Sequence, residues 1–162
     1  MTDYRVLLAA VGFLLVLLWR FRPALFGDGE VPRFAPAMKA RLDSAKDDHE
    51  RAMVLAEAGD TLARSIGGAR NAAAYYGRAM RLEPESTELV SRAAAALSRR
   101  HRTLESLLWR RLGTAPWEGG ERGPALQAIR ELARLYDATA KTRPRARAME
   151  HLLASLGAKG DP

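Results

Sequence analysis

Ala72-Ala73-Ala74-Tyr75-Tyr76-Gly77-Arg78-Ala79-Met80-Arg81-Leu82-Glu83-Pro84 is the stretch on which the fold turns. Ala72, Tyr76 and Ala79 recur at a spacing of four and three, which puts them on one face of a helix. The two alanines let a neighbouring helix approach closely. Tyr76, one turn after Ala72, fills the space between the two helices. Pro84 has no N–H and a fixed φ, so the helix must stop at Glu83-Pro84. The stretch therefore predicts a helix from Ala69 to Leu82 that packs through a small–aromatic–small stripe.

The same punctuation continues on both sides. Ala37 to Ile66 reads as one long helix or two broken ones, with Met38, Leu42, Ala45, His49, Ala52 or Met53, Ala56, Gly59, Leu62 and Ile66 at threes and fours. Gly67-Gly68 ends it. After Pro84, Ser86 or Thr87 caps a helix carrying Leu89, Val90, Ala93, Ala94 and Leu97. Arg99 to Arg102 reads as a turn, followed by a helix from Thr103 to Leu112. Gly113 to Gly123 reads as a loop, and Pro124 suits the first position of the helix behind it, with Ile129, Leu132, Ala133 and Tyr136. Pro144 opens a last helix bearing Met149 and Leu152, for which Gly157 is the expected stop, and residues 158–162 fray. Alanine, leucine, arginine and glutamate are abundant, and no stretch alternates with period two. The fold class expected is all-α.

The N-terminal end differs. Val6, Leu7, Leu8, Ala9, Ala10, Val11, Gly12, Phe13, Leu14, Leu15, Val16, Leu17, Leu18 and Trp19 form an uninterrupted apolar run between Arg5 and Arg20. As a helix it spans about 21 Å, short of the roughly 30 Å hydrocarbon core, but snorkelling arginines and interfacial Tyr4, Trp19 and Phe21 extend it. A cleaved signal would need small residues after the core, where Arg20, Phe21, Arg22 and Pro23 stand. The expectation is a single transmembrane anchor within residues 1–22, then a linker over residues 23–36 broken by Pro23, Pro32, Pro36 and Gly27-Asp28-Gly29, then a helical domain over 37–157. Arg20, Arg22 and Arg33 behind the span favour a cytoplasmic domain, and a bacterial inner membrane is the expected setting.

The formal charge of +7 is uneven. Residues 1–88 hold 12 basic and 12 acidic side chains, so the excess falls in residues 89–162. Arg99, Arg100 and Arg102, with Arg143, Arg145 and Arg147, form a candidate surface for an anionic partner; the plain alternative is a solvated face. If the inter-helix turns that carry them fall on one edge, the six make one stripe. Asp43, Asp47, Asp48 and Glu50 read as an acidic surface, and Arg110 and Arg111 as an extension of the basic one. The chain has no cysteine, which excludes thiolate zinc sites and thiol nucleophiles. His49, His101 and His151 are scattered, and no phosphate-loop, nucleophile-elbow or HExxH motif is present. No catalytic residue, metal ligand, cofactor or small-molecule substrate is expected.

Ala72-x3-Tyr76-x2-Ala79-x4-Pro84 resembles the second helix and exit turn of a tetratricopeptide repeat. Leu55, Ala58-Gly59 and Leu62 suit the first helix of the same repeat, given one extra residue in the turn. Val90, Ala93-Ala94 and Leu97 resemble a second first helix, whose partner lacks the small residue and the aromatic. Ile129, Leu132-Ala133 and Tyr136 resemble a third. The resemblance implies a short stack of antiparallel helix hairpins that binds a protein partner and carries out no chemistry. The function expected is a membrane-anchored adaptor or an assembly subunit of a membrane complex. The alternatives are an accessory subunit packed on an integral-membrane enzyme or transport complex and, less favoured for want of aromatic residues among the arginines, a membrane-tethered nucleic-acid-binding protein.

Overall fold

The computed structural model describes residues 30–115, 117 and 122–158. These residues are all-helical, without a strand, in seven α-helices: α1 (Glu30–Ser44), α2 (Asp48–Arg64), α3 (Ala69–Leu82), α4 (Thr87–Ala96), α5 (His101–Thr114), α6 (Gly123–Asp137) and α7 (Arg143–Ala158). A 3-10 turn, Ala140–Thr142, joins the last two. The anchor expected over Val6–Trp19 lies outside the described residues. Among those residues no helix is long and apolar enough to cross a membrane.

Local chemistry explains most boundaries. The long run splits at residues 45–47 because Asp47 caps α2: its carboxylate accepts from the Glu50 N–H at 2.7 Å, and Glu50 in turn accepts from the Lys46 N–H at 2.8 Å. Two members of the expected acidic surface are thus spent on a helix start. Gly67 closes the α2–α3 turn at φ +86°, a conformation that L side chains rarely adopt. Ser86 caps α4 by accepting from the Leu89 N–H.

Four boundaries differ from expectation. α1 begins at Glu30, inside the stretch read as a linker. Pro32 lies in its first turn, where an N–H has no intrahelical partner anyway, and Pro36, inside the helix, forfeits its bond to the carbonyl four residues back and crowds that carbonyl. α5 begins at His101, so His101 and Arg102 are helical rather than part of the turn; neither opposes a helix. At its far end α5 runs on to Thr114, through the expected loop start at Gly113. α7 runs through Gly157 to Ala158, because one exposed glycine lowers helix propensity without forcing a stop.

α2 and α3 fold back on each other and pack along their whole length. α4 packs on α2, and α6 on α4. α5 lies against α3 and α6, and α7 against α6. The core is a run of small and aliphatic side chains: Ala52, Leu55, Ala56 and Leu62 of α2, Ala72, Tyr76 and Ala79 of α3, Val90, Ala93 and Leu97 of α4, Leu108 of α5, and Ile129 and Leu132 of α6. Tyr76 is fully buried. Its ring lies so close to Gly59 that a Cβ there would stand 2.8 Å from Cε2. Arg111 is buried, against the expectation of a surface charge. It follows Leu104, Leu107 and Leu108 on the inward face of α5, and the spacing carries it into the core. One guanidinium nitrogen donates to the Met80 carbonyl at 3.4 Å and another to that of Pro84, which serves the open carbonyls at the end of α3. Its Nε has no partner, and burial lowers its pKa.

Candidate partner-binding face

The α2–α4 face is built on one half-buried ion pair. Asp60 follows Gly59 on α2, and Arg92 precedes Ala93 on α4, so each stands at the margin of a close helix contact. Arg92 donates to Asp60 Oδ2 through Nε at 2.9 Å and Nη2 at 2.7 Å, a two-pronged charge-assisted bond. The Tyr76 hydroxyl donates to the other carboxylate oxygen. Burial, and then Asp60, raise the Tyr76 pKa, so the phenol stays a donor. Three helices are locked together by one carboxylate.

Above this brace lies a concavity of about 740 Å³. Its floor is small, with Ala63, Ala95 and Ala96, and its rim is cationic, with Arg64, Arg99 and Arg100. Among the described residues none of these three arginines is paired with a carboxylate. The opposite end of the same two helices is acidic. There Glu83, Glu85 and Glu88, with His49, Met53 and Leu89, line a second concavity of about 430 Å³. His49 is exposed and hydrogen-bonded to Glu83, whose bond and charge raise its pKa. From Met53 to Arg64 is about 16 Å along the helix. The face is therefore bipolar, acidic at the helix N-termini and basic at the C-termini, the order that the peptide dipoles favour. Asp47, Asp48 and Glu50 at the start of α2 and the Arg99–Arg102 run after α4 stand at opposite ends.

Of the residues read as repeat packing, Leu55, Gly59, Leu62, Ala72, Tyr76 and Ala79 are buried, and Pro84 is exposed in the α3–α4 turn. Of the six arginines read as one surface, Arg99 and Arg100 rim the larger concavity. Arg102 lies on the α3–α5 side with Arg70 and Arg110. Arg143 stands 3.8 Å from Asp137, and Arg145 3.8 Å from Glu105 and over the Tyr136 ring, while Arg147 is exposed. Trp109 is half-exposed and donates to the Tyr136 hydroxyl at 3.0 Å. Trp117 is 44% exposed, with its indole N–H on the Leu112 carbonyl.

The Asp60–Arg92 pair was missed in the sequence because 32 residues separate its members. The available signal was a charged residue beside a small pair, Ala58-Gly59 or Ala93-Ala94. Among the described residues no group of three or more His, Cys, Asp or Glu side chains converges as a metal site. Comparisons with protein families, with characterised proteins and with solved structures return no match.

Proposed function

We propose that this chain is a non-enzymatic, membrane-anchored interaction subunit that holds a segment of a partner protein against the α2–α4 face of a tetratricopeptide-like stack. The partner is a component of a membrane complex, and the Val6–Trp19 segment keeps the domain beside it on the cytoplasmic side of a bacterial inner membrane. Confinement to a bilayer raises local concentration, so a weak contact suffices. The observation that carries this reading is the rigid Asp60–Arg92–Tyr76 brace beneath an open concavity with unpaired arginines on its rim. A preformed floor spares the partner the cost of ordering the site. Opposite charges at the two ends give a bound segment one orientation, its acidic end toward Arg64, Arg99 and Arg100. The spacing of Leu55, Gly59, Leu62, Ala72, Tyr76, Ala79 and Pro84, and the way α2 and α4 stack side by side, support the repeat assignment.

The test is affinity purification of the full chain from detergent-solubilised membranes, followed by mass spectrometry. Ala95 is exposed on the floor, so Ala95→Trp fills the concavity without disturbing the core. A partner recovered with the wild type and lost with Ala95→Trp supports the reading. Equal recovery with both would place the contact elsewhere.

A further inference from the structure

Three inter-helix turns share one edge of the domain. α2 and α4 run parallel, since Met53 shares one concavity with Leu89 near the N-termini and Arg64 shares the other with Arg99 at the C-termini. α4 and α6 run parallel as well, since Gln127 meets Ser91 and Gly123 lies beside Thr87. The C-termini of all three therefore point the same way, and the turns that follow them lie together. α1 runs the other way. It is joined to α2 by three residues, and its Arg41 pairs with Glu57 at 2.6 Å. From Arg41 back to Glu30 is about 16 Å of helix, and from Glu57 on to Arg64 about 10 Å. The described start of α1 thus lies toward that same edge.

The edge has an unusual composition. Residues 61–71, 95–104 and 138–149 contain nine arginines and lysines and no aspartate or glutamate. All nine are exposed. α3, α5 and α7, which start there, have no acidic residue in their first turns. They carry Arg70, Arg102 and Arg143 instead. Cations at a helix N-terminus oppose its dipole, whereas of the helices that start at the opposite edge α2 and α4, though not α6, begin with the favoured acids. Arg64, Arg99 and Arg100 suit the dipoles of the helices that end at this edge, whereas Arg70, Arg102 and Arg143 oppose those of the helices that start there and gain the fold nothing. Arg143 and Arg145 have carboxylates within 3.8 Å, so the uncompensated charge is concentrated in the first two turns. At the tip of the first of these stands Ile66, 87% exposed, on the turn that Gly67 closes.

We infer that this edge rests on an anionic lipid bilayer, with Ile66 inserted among the acyl chains beneath the headgroups and Arg70 and Arg102 on the headgroups beside it. A bilayer is anionic at its surface and apolar just below, which matches an aliphatic tip set among arginines. Nucleic-acid phosphates would satisfy the arginines and give Ile66 nothing. The inference rests on the anchored reading of the protein.

The absence of cysteine allows a direct test. Ile66→Cys in the full chain is labelled with an environment-sensitive fluorophore and reconstituted into vesicles of phosphatidylcholine alone or with phosphatidylserine, each with or without nitroxide-labelled lipid. Glu85→Cys, on the opposite edge, is the control. The expected result is quenching and a blue shift of the label at position 66 in anionic vesicles, lost at high salt, lost with Arg70→Glu/Arg102→Glu, and never seen at position 85. A label at position 66 that stays unquenched on chains floating with anionic vesicles overturns the inference, as does a response to RNA without a response to vesicles. Failure of the chain to float with phosphatidylcholine vesicles would sink the anchored reading instead. Quenching in anionic vesicles would then decide the edge by itself.

Discussion

Two glycine-to-alanine changes on the packed α2–α3 pair should differ in stability, one stabilising and the other not. In a helix interior, alanine is better than glycine by about 1 kcal/mol, whichever site is chosen. At Gly77 of α3 the added methyl would meet only Leu107 Cδ1, at 3.9 Å, an ordinary contact. Gly77→Ala should therefore stabilise the domain by about 0.5–1 kcal/mol. At Gly59 the methyl would stand 2.8 Å from Tyr76 Cε2 and 2.9 Å from Cδ2. The ring has nowhere to go: it is fully buried against neighbouring alanines, and its hydroxyl is held by Asp60. Overpacking of this kind costs about 1–3 kcal/mol, so Gly59→Ala should be neutral to destabilising by about 2 kcal/mol once the propensity gain is subtracted. Propensity cancels between the two variants, and their difference, about 1–3 kcal/mol, is the steric cost alone. That corresponds to a gap in Tm of roughly 3–18 °C, at roughly 3–6 °C per kcal/mol for a domain of this size. Urea titrations of the full chain in detergent, followed by far-ultraviolet circular dichroism, give the midpoints. If Gly59→Ala is as stable as Gly77→Ala or more so, α2 and α3 do not approach through Gly59 and Tyr76.

Tyr76→Ala should cost about 3–5 kcal/mol, as expected for emptying a large buried site, and Tyr76→Phe about 1 kcal/mol for the lost bond to Asp60; a loss below about 1 kcal/mol for Tyr76→Ala would put the side chain at the surface. Asp47→Ala removes the cap of α2 and should cost about 1 kcal/mol, seen as a lower urea midpoint; no change would mean that Glu50 and Lys46 hold the helix start without it. His49 has its folded-state pKa raised by Glu83, so its stabilising contribution is fully present below the ordinary histidine value and is lost as pH rises through the raised one. The midpoint difference between wild type and His49→Gln should accordingly be larger at pH 5.5 than at pH 9, and a difference independent of pH would show that the His49–Glu83 contact carries no charge.

Local signals set most helix boundaries beyond the N-terminal segment, but not the helix count: the run from Ala37 to Ile66 reads equally as one helix or two. Pro84, Ser86, Gly67-Gly68 and Pro124 act within a few residues of themselves, so the boundaries they set were legible before any packing was known. The buried stripe through Leu55, Gly59, Leu62, Ala72, Tyr76 and Ala79 was legible for the same reason, because helical periodicity alone brings such residues to one face. Signals that are weak or conditional misled. Pro32 and Pro36 suggest a linker, yet a proline in a first turn has no bond to break, and one further in disfavours a helix without forbidding it. Asp47-x2-Glu50 is a capping box, read as surface charge because four acids together look like a patch. Arg111 was read by its charge, while its position on the face of Leu104 and Leu108 decided its fate.

What tertiary structure alone decided is how distant residues meet. Asp60 and Arg92 form one unit because α2 and α4 pack side by side, and no local preference links positions 32 residues apart. The six arginines of the C-terminal half come to one edge because α4 and α6 end there, yet they meet different neighbours: Arg99 and Arg100 rim the α2–α4 concavity, Arg102 lies by Arg70 and Arg110, and Arg143 and Arg145 stand near Asp137 and Glu105. The basic edge needed more than the C-terminal excess: Arg64, Ile66 and Arg70, from the charge-balanced half, stand on it because parallel packing brings the C-termini of α2, α4 and α6 to one end. Composition set the sign and amount of charge on this protein, and helix direction set where that charge is presented.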